Sequence, residues 1–234
     1  QLHRRQRQMC IRDSWYTRRG GENLEVAHRW LPIWAQMVSV STPHLAEEWW
    51  ANLDSTSTFV SGSTMPLPAP LTDEQNLVLS AEQYIRDVLE QARKVRVVAE
   101  RHLGTSASQA TFVVAPSWKR TMAQAALRFI QDGGHPKKFI PVLQEMPMAQ
   151  GDRKGEMIGF WGKKMLPQVF KWDDASKAVV ASVMDEQDVL DAASAFIAAE
   201  LSLEAVVVVV GESDHDETGR SGSAMPLSPA VVYS

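Results

Sequence analysis

"STPHLAEEWW", residues 41–50, reads as the opening of a helix whose apolar face must be covered by something large. Thr42 can cap such a helix by accepting a backbone N–H, and Pro43 suits the first helical position, where its missing N–H costs nothing. Glu47 and Glu48 stand early enough to favour the positive end of the helix dipole. Leu45 and Trp49, four apart, share a face and call for a packing partner.

The neighbouring sequence supplies more helices. Upstream, "LEVAHRWLPIWAQMV" at 24–38 puts Ala27, Leu31, Trp34 and Val38 on one stripe, with Trp30 and Met37 beside it; Pro32 kinks this helix or marks its true start. Trp30, Trp34, Trp49 and Trp50 stand at helical spacing and read as core. Downstream, a Ser/Thr/Pro-rich loop leads into 73–103, where Leu77, Ala81, Tyr84, Ile85, Val88, Leu89, Ala92 and Val95 keep one apolar face and Gly104 is a good terminator. Residues 15–104 are therefore expected to form part of an α-helical bundle, and 105–110, where the composition changes, a linker.

Residues 111–234 read as a small α+β domain. "TFVVA" at 111–115 is a strand, followed by a helix capped by Ser117 and stopped by Gly133, with Trp118 placed to stack on the next helix. A Lys/Met/Pro-rich stretch at 135–150 precedes a helical segment at 154–170. Another helix at 185–201 turns Leu190, Ala193, Ile197 and Leu201 inward. "AVVVVV" at 205–210 reads as a buried strand, and "PAVVYS" as the last strand after an acidic turn.

Composition narrows the function classes. The 234 residues are 44% hydrophobic and 22% charged with a mean hydropathy of −0.21, and no apolar run nears the ~20 residues a membrane span needs. The start, "QLHRRQRQ", lacks the apolar core of a secretion signal, so a cytoplasmic protein is expected. A single cysteine, Cys10, excludes an internal disulfide and a multi-cysteine zinc site. The six histidines have no paired metal-ligand spacing. No phosphate loop, nucleophile elbow or dinucleotide turn occurs, so the sequence carries no recognisable catalytic constellation and no metal site.

Charge is segmented along the chain. Net charge is −4, but residues 117–171 hold ten Lys/Arg against four acids, a balance of +6, while 172–234 hold two against twelve, a balance of −10. The middle can sit on phosphates; a solvated basic face is the alternative.

"STPHLAEEWW", with "WYTRRGGENLEVAHRWLPIWAQMVSV" before it, resembles the anticodon-binding helical domain of class I aminoacyl-tRNA synthetases for aliphatic amino acids. That family carries a helix matched by Pro43, His44, Glu47, Glu48 and Trp50. "AEQYIRDVLEQARKV", "FVVAPSWK", "DEQDVLDAASAFIAAELSLEAVVVVV" and the closing "AMPLSPAVVYS" are similar to the C-terminal region of leucyl-tRNA synthetases of archaeal/eukaryotic type. The resemblance covers about 15–234. It implies an incomplete anticodon-binding bundle followed by a C-terminal α+β tRNA-binding domain at 111–234. The stretch "RQRQMCIRDS" departs from the family, and 1–14 are expected to be a non-native or disordered leader.

The resemblance also implies a role. The full enzyme joins leucine to its tRNA with ATP and Mg, in catalytic and editing domains whose motifs are absent here. This chain would then be a fragment without a catalytic site or cofactor of its own, joined in cis to those domains. Its implied partner is tRNA(Leu), through the long variable arm, with no membrane partner. RNA helices are read mostly by shape, phosphate and 2′-hydroxyl contacts, which ask for Lys and Arg. The candidate contacts are Arg18, Arg19, Lys119, Arg120, Lys137, Lys138, Arg153, Lys154, Lys163 and Lys164, with Trp161, set between Gly159 and Gly162 in "GFWGKK", as an RNA-facing aromatic. A stand-alone tRNA-binding module, or the same region of a valyl or isoleucyl enzyme, are the competing readings.

Overall fold

The computed structural model describes residues 15–21, 23–53, 59–64, 67, 69–149, 153–182, 184–211 and 219–234, with the backbone alone for Arg153 and Ala175. The leader at 1–14 and most of the acidic turn before the last strand lie outside the described residues. The chain divides into two compact units, Gln1–Pro70 and Leu71–Ser234.

The first unit holds helix α1 (residues 15–20), α2 (Leu24–Val38) and α3 (Pro43–Leu53). Asn23 caps α2, its side-chain oxygen accepting the Val26 N–H at 3.1 Å. Pro32 sits inside one continuous helix rather than at its start. Pro43 opens α3, as its fixed φ favours. Glu47 has a more specific task than the helix dipole: its carboxylate accepts the Val60 N–H at 2.8 Å and fastens the 3-10 turn Val60–Gly62 onto α3. Ala35, Ala46, Trp50 and Val60 form the interior. Small Ala35 and Ala46 are fully buried there beside Trp50, and the other rings stay partly exposed. Trp34 stacks on half-buried Trp49 at 5.5 Å, Trp30 meets Trp34 edge-on at 5.3 Å, and Trp30 and Trp34 remain 42% and 37% exposed. The expectation of four core tryptophans holds fully for Trp50 alone.

In the second unit, α4 (Asp73–Leu103) starts with a capping box between Thr72 and Gln75 and ends at Gly104 in the left-handed conformation, φ +70°. Its expected stripe is buried at Tyr84, Ile85, Val88, Leu89 and Ala92. That stripe faces the sheet. The Tyr233 hydroxyl donates to the Ala92 carbonyl at 2.8 Å, Gln91 donates to the Pro229 carbonyl at 3.1 Å, and Arg93 pairs with Glu200 at 2.8 Å. The compact units part at 70/71, and α4 shares a unit with the sheet, whose first strand begins at Gln109 inside the expected 105–110 linker.

That sheet has the order β2-β1-β3. β1 (Gln109–Val114) runs parallel to β2 (Ala205–Val210), with Phe112 opposite Val208, and antiparallel to β3 (Ala230–Tyr233), with Phe112 opposite Val231. β2 is an edge strand and only half-buried, which corrects the expectation of a buried strand: its valines have one covered face, provided by α10 (Glu186–Glu200). The inward residues of α10, Leu190, Ala193 and Ile197, and Leu201 just after it, are buried as expected.

Between β1 and α10 lie α5 (Ser117–Gln131), α6 (Ile140–Glu145), α7 (Arg153–Phe160), α8 (Leu166–Val169) and α9 (Asp174–Ala181). Pro116, not Ser117, holds the α5 N-cap position, with no side-chain cap bond. Gly133, at φ +86°, follows the helix end. The segment expected as one helix at 154–170 is interrupted: Trp161–Met165 form a π-helical turn joining α7 to α8. Pro167 supplies the reason, because it has no N–H to donate and its ring crowds the preceding turn, so the helix widens there. Rings from α5, the 139–146 stretch and α7 fill one core; Trp118 meets Phe160 edge-on at 5.5 Å, the expected stacking on a later helix. Among the described residues no helix is long and apolar enough to cross a membrane.

Candidate nucleic-acid interface

The eleven candidate contact residues fall into three groups. Arg18 (exposed) and Arg19 (half-buried) stand on α1 in the first unit. Lys137, Lys138, Lys154, Lys163 and Lys164 present exposed side chains on the second unit, and Arg153 opens α7 with its side chain outside the described residues. Lys119, Arg120 and Trp161 are committed to the fold.

Four of the exposed lysines are held on two short elements. Lys137 and Lys138 ride the 3-10 turn Pro136–Lys138, where His135 Nδ1 accepts the Lys137 N–H at 3.2 Å. Lys163 and Lys164 ride the π turn. The two elements are joined beneath the surface by Phe139 against Trp161, ring centroids 4.6 Å apart. The wide turn has a useful consequence: Trp161 and Met165 are both fully buried while Gly162, Lys163 and Lys164 are all exposed, so two consecutive cations face solvent.

Two expectations are corrected. Lys119 is only 2% exposed: its ammonium donates to the carbonyls of Ser221 at 2.5 Å and Ala224 at 2.8 Å and lies 4.4 Å from the Phe160 ring centre. This buried cation, solvated by carbonyls and a π face, ties α5 to the 3-10 turn Ser221–Ser223 rather than meeting phosphate. Trp161 is wholly buried, in the core with Phe139, Met157 and Met165, so it is no platform for an RNA base. Its Nε1 is buried with no hydrogen-bond partner among the described residues. Arg120 is half-buried and donates to the Ser182 carbonyl at 3.1 Å; with Gln124, which donates to the Val180 carbonyl at 3.0 Å, it satisfies the carboxyl end of α9.

Geometry also brings forward residues the sequence reading passed over. A hollow of about 200 Å³ lies where α7 and the π turn meet the turn after β2, lined by Glu156, Gly159, Phe160, Lys163, Lys164 and Gly222, with Lys119 at its base. The Lys164 ammonium donates to the Gly222 carbonyl, a second tie to the same turn. The glycines flanking Trp161 were the available signal. Gly222 had none, since its nearness to Lys164 is purely tertiary. Among the described residues no group of His, Cys, Asp or Glu is arranged to hold a metal ion.

No family model matches the chain. Individual proteins do match, among them proteins of one class, the aminoacyl-tRNA ligases. Each of these relatives is an archaeal leucine–tRNA ligase. The protein of that name from Methanococcus maripaludis is 29% identical over 217 residues, that from Pyrococcus furiosus 28% over 224, and that from Methanothrix thermoacetophila 30% over 220, each covering 93% of this chain. The chain is thus a sequence relative of the archaeal leucine–tRNA ligases over nearly its whole length, as the helix at 41–50 and the later segments implied. It spans about a fifth of the length of the relatives it matches.

Proposed function

We propose that this chain is the tRNA-positioning region of a leucine–tRNA ligase, with α1–α3 part of an anticodon-binding bundle and the second unit carrying a basic surface toward the long variable arm of leucine tRNA. The observation that carries this is the match to leucine–tRNA ligases across 93% of the chain. The placement of Lys137, Lys138, Lys154, Lys163 and Lys164 on the surface supports it, because phosphate contacts fix orientation on an RNA without reading its bases. Activation of leucine with ATP and Mg, transfer to the tRNA 3′ end and editing would fall to sequence beyond these 234 residues.

The test is fluorescence anisotropy with leucine tRNA, intact and with its variable arm shortened, across a salt series. The reading expects arm-dependent affinity and, for six phosphate contacts, a slope of log affinity against log salt of about −4 to −5. Equal, weak binding to both RNAs would overturn it.

A further inference from the structure

Glycine in mid-helix is a cost that needs a reason, and the described residues give none for Gly159. It stands within α7, its φ is not in the left-handed region, and a Cβ built on it meets nothing within 4 Å among the described residues. Gly222, across the hollow, is equally open. Absent side chains at two facing points let another backbone come close. Beside them stands Lys163, an exposed cation, and Glu156, an exposed carboxylate with no hydrogen-bond or ion-pair partner among the described residues.

An exposed cation and an exposed acceptor beside two open glycines do not suit a plain anion, since Glu156 repels it. They suit a group that brings a negative charge and a hydroxyl donor together. We propose that this hollow takes one ribose–phosphate unit of an RNA strand, the phosphate on Lys163 and the 2′-hydroxyl donating to Glu156. A carboxylate is a strong acceptor for a ribose hydroxyl, and that hydroxyl is what separates RNA from DNA at a given site. Lys119 and Lys164 act as positioning residues, holding the turn that bears Gly222. This inference rests on the RNA-binding reading above and adds to it a specific point of 2′-hydroxyl recognition.

The experiment compares a stem–loop of the leucine-tRNA variable arm made as RNA with the same stem–loop carrying 2′-fluoro sugars, which keep the helical form but cannot donate. The full chain is expected to bind the RNA about ten-fold tighter or more, the worth of one charge-assisted hydrogen bond. Glu156→Ala and Gly159→Leu, both at open positions, should bring the ratio to about one, while Lys163→Gln weakens both ligands. Equal binding of the two stem–loops by the unsubstituted chain, or discrimination that survives both Glu156→Ala and Gly159→Leu, overturns the hollow and leaves the RNA-binding reading standing. Failure to bind either stem–loop overturns both.

Discussion

The Tyr84 hydroxyl on α4 donates to the Glu186 carboxylate on α10 at 3.1 Å, across 102 residues of sequence. The same carboxylate oxygen accepts the Leu227 N–H at 3.1 Å, and Leu227 sits at φ +62°, in the left-handed region that a branched side chain seldom adopts. One buried acid therefore joins three parts of the second unit: the long helix, the helix before β2 and the turn before β3. Burial pushes the Glu186 carboxyl above its usual range and, with the nearby acid, the Tyr84 phenol well above its own.

A pH dependence follows from that shift. The folded protein holds a proton on Glu186 more tightly than the unfolded chain, so stability contributed at this site falls as pH rises from the ordinary carboxylate range through the raised folded value. Glu186→Gln keeps an acceptor for Tyr84 and Leu227 without the buried charge. Its urea midpoint is expected to exceed that of the parent near pH 8, with the difference closing toward about pH 4. Asp173, held below its usual range by its bond from Ser176, slopes the other way but cancels between the two proteins. Glu186→Ala instead orphans a hydroxyl and an N–H and should cost about 1–3 kcal/mol. A Gln variant no more stable than the parent at high pH would show that the charge is fully compensated.

Lys119 and Lys163 test the separation of a structural cation from a proposed RNA contact. Lys119→Met keeps the aliphatic stem but leaves two carbonyls without their donor, so the expected loss is about 2 kcal/mol by chemical denaturation, with the salt slope of tRNA binding unchanged. Lys163→Gln should leave stability alone and flatten that slope by about 0.7–0.9. A flattened slope in the Lys119 variant would move that residue back among the phosphate contacts.

How much of this was legible can be seen residue by residue. Periodicity located α4 and α10 with their buried faces, because each is a long helix with one apolar stripe. It missed α9, whose eight residues rest on tertiary support: Asp173 caps its start, but Arg120 and Gln124 satisfy its end from α5. The basic segment at 117–171 was visible as charge, yet nothing in it separates Lys119 from Lys163. That difference is made by carbonyls at Ser221 and Ala224, a hundred residues on. Trp161 looked exposed between its glycines, and the π turn forced by Pro167 carries it inward. The resemblance to class I synthetases was legible where local helix chemistry is strong, at 41–50, and the leucyl one in the later segments; the hollow beside α7 was not, since it is made by two turns distant in sequence.

Trp161 gives a third test. Its ring fills the core, but its Nε1 is buried without an acceptor among the described residues. Trp161→Phe loses packing volume and also removes an unsatisfied donor, two effects of about 1–3 kcal/mol and opposite sign, so the net change is expected within about 1 kcal/mol. Trp161→Ala loses the volume alone and should cost about 3–5 kcal/mol. Similar losses in both variants would mean that the Nε1 is hydrogen-bonded in solution.

On the first unit, α2 leaves Val26, Trp30, Ile33, Trp34 and Met37 exposed at helical spacing, and Leu31, Trp34, Trp49 and Leu53 line an apolar dent of about 210 Å³. Soluble proteins seldom leave so continuous an aromatic face uncovered. The isolated chain is therefore expected to bind an apolar dye and to elute above its 26.0 kDa monomer mass, increasingly so at higher concentration. Trp30→Gln combined with Met37→Gln should reduce both effects and leave the denaturation midpoint in place, because the interior of the unit is Ala35, Ala46, Trp50 and Val60 and neither substitution touches it. A monodisperse monomer that binds no dye before substitution would show that this face is covered within the chain itself.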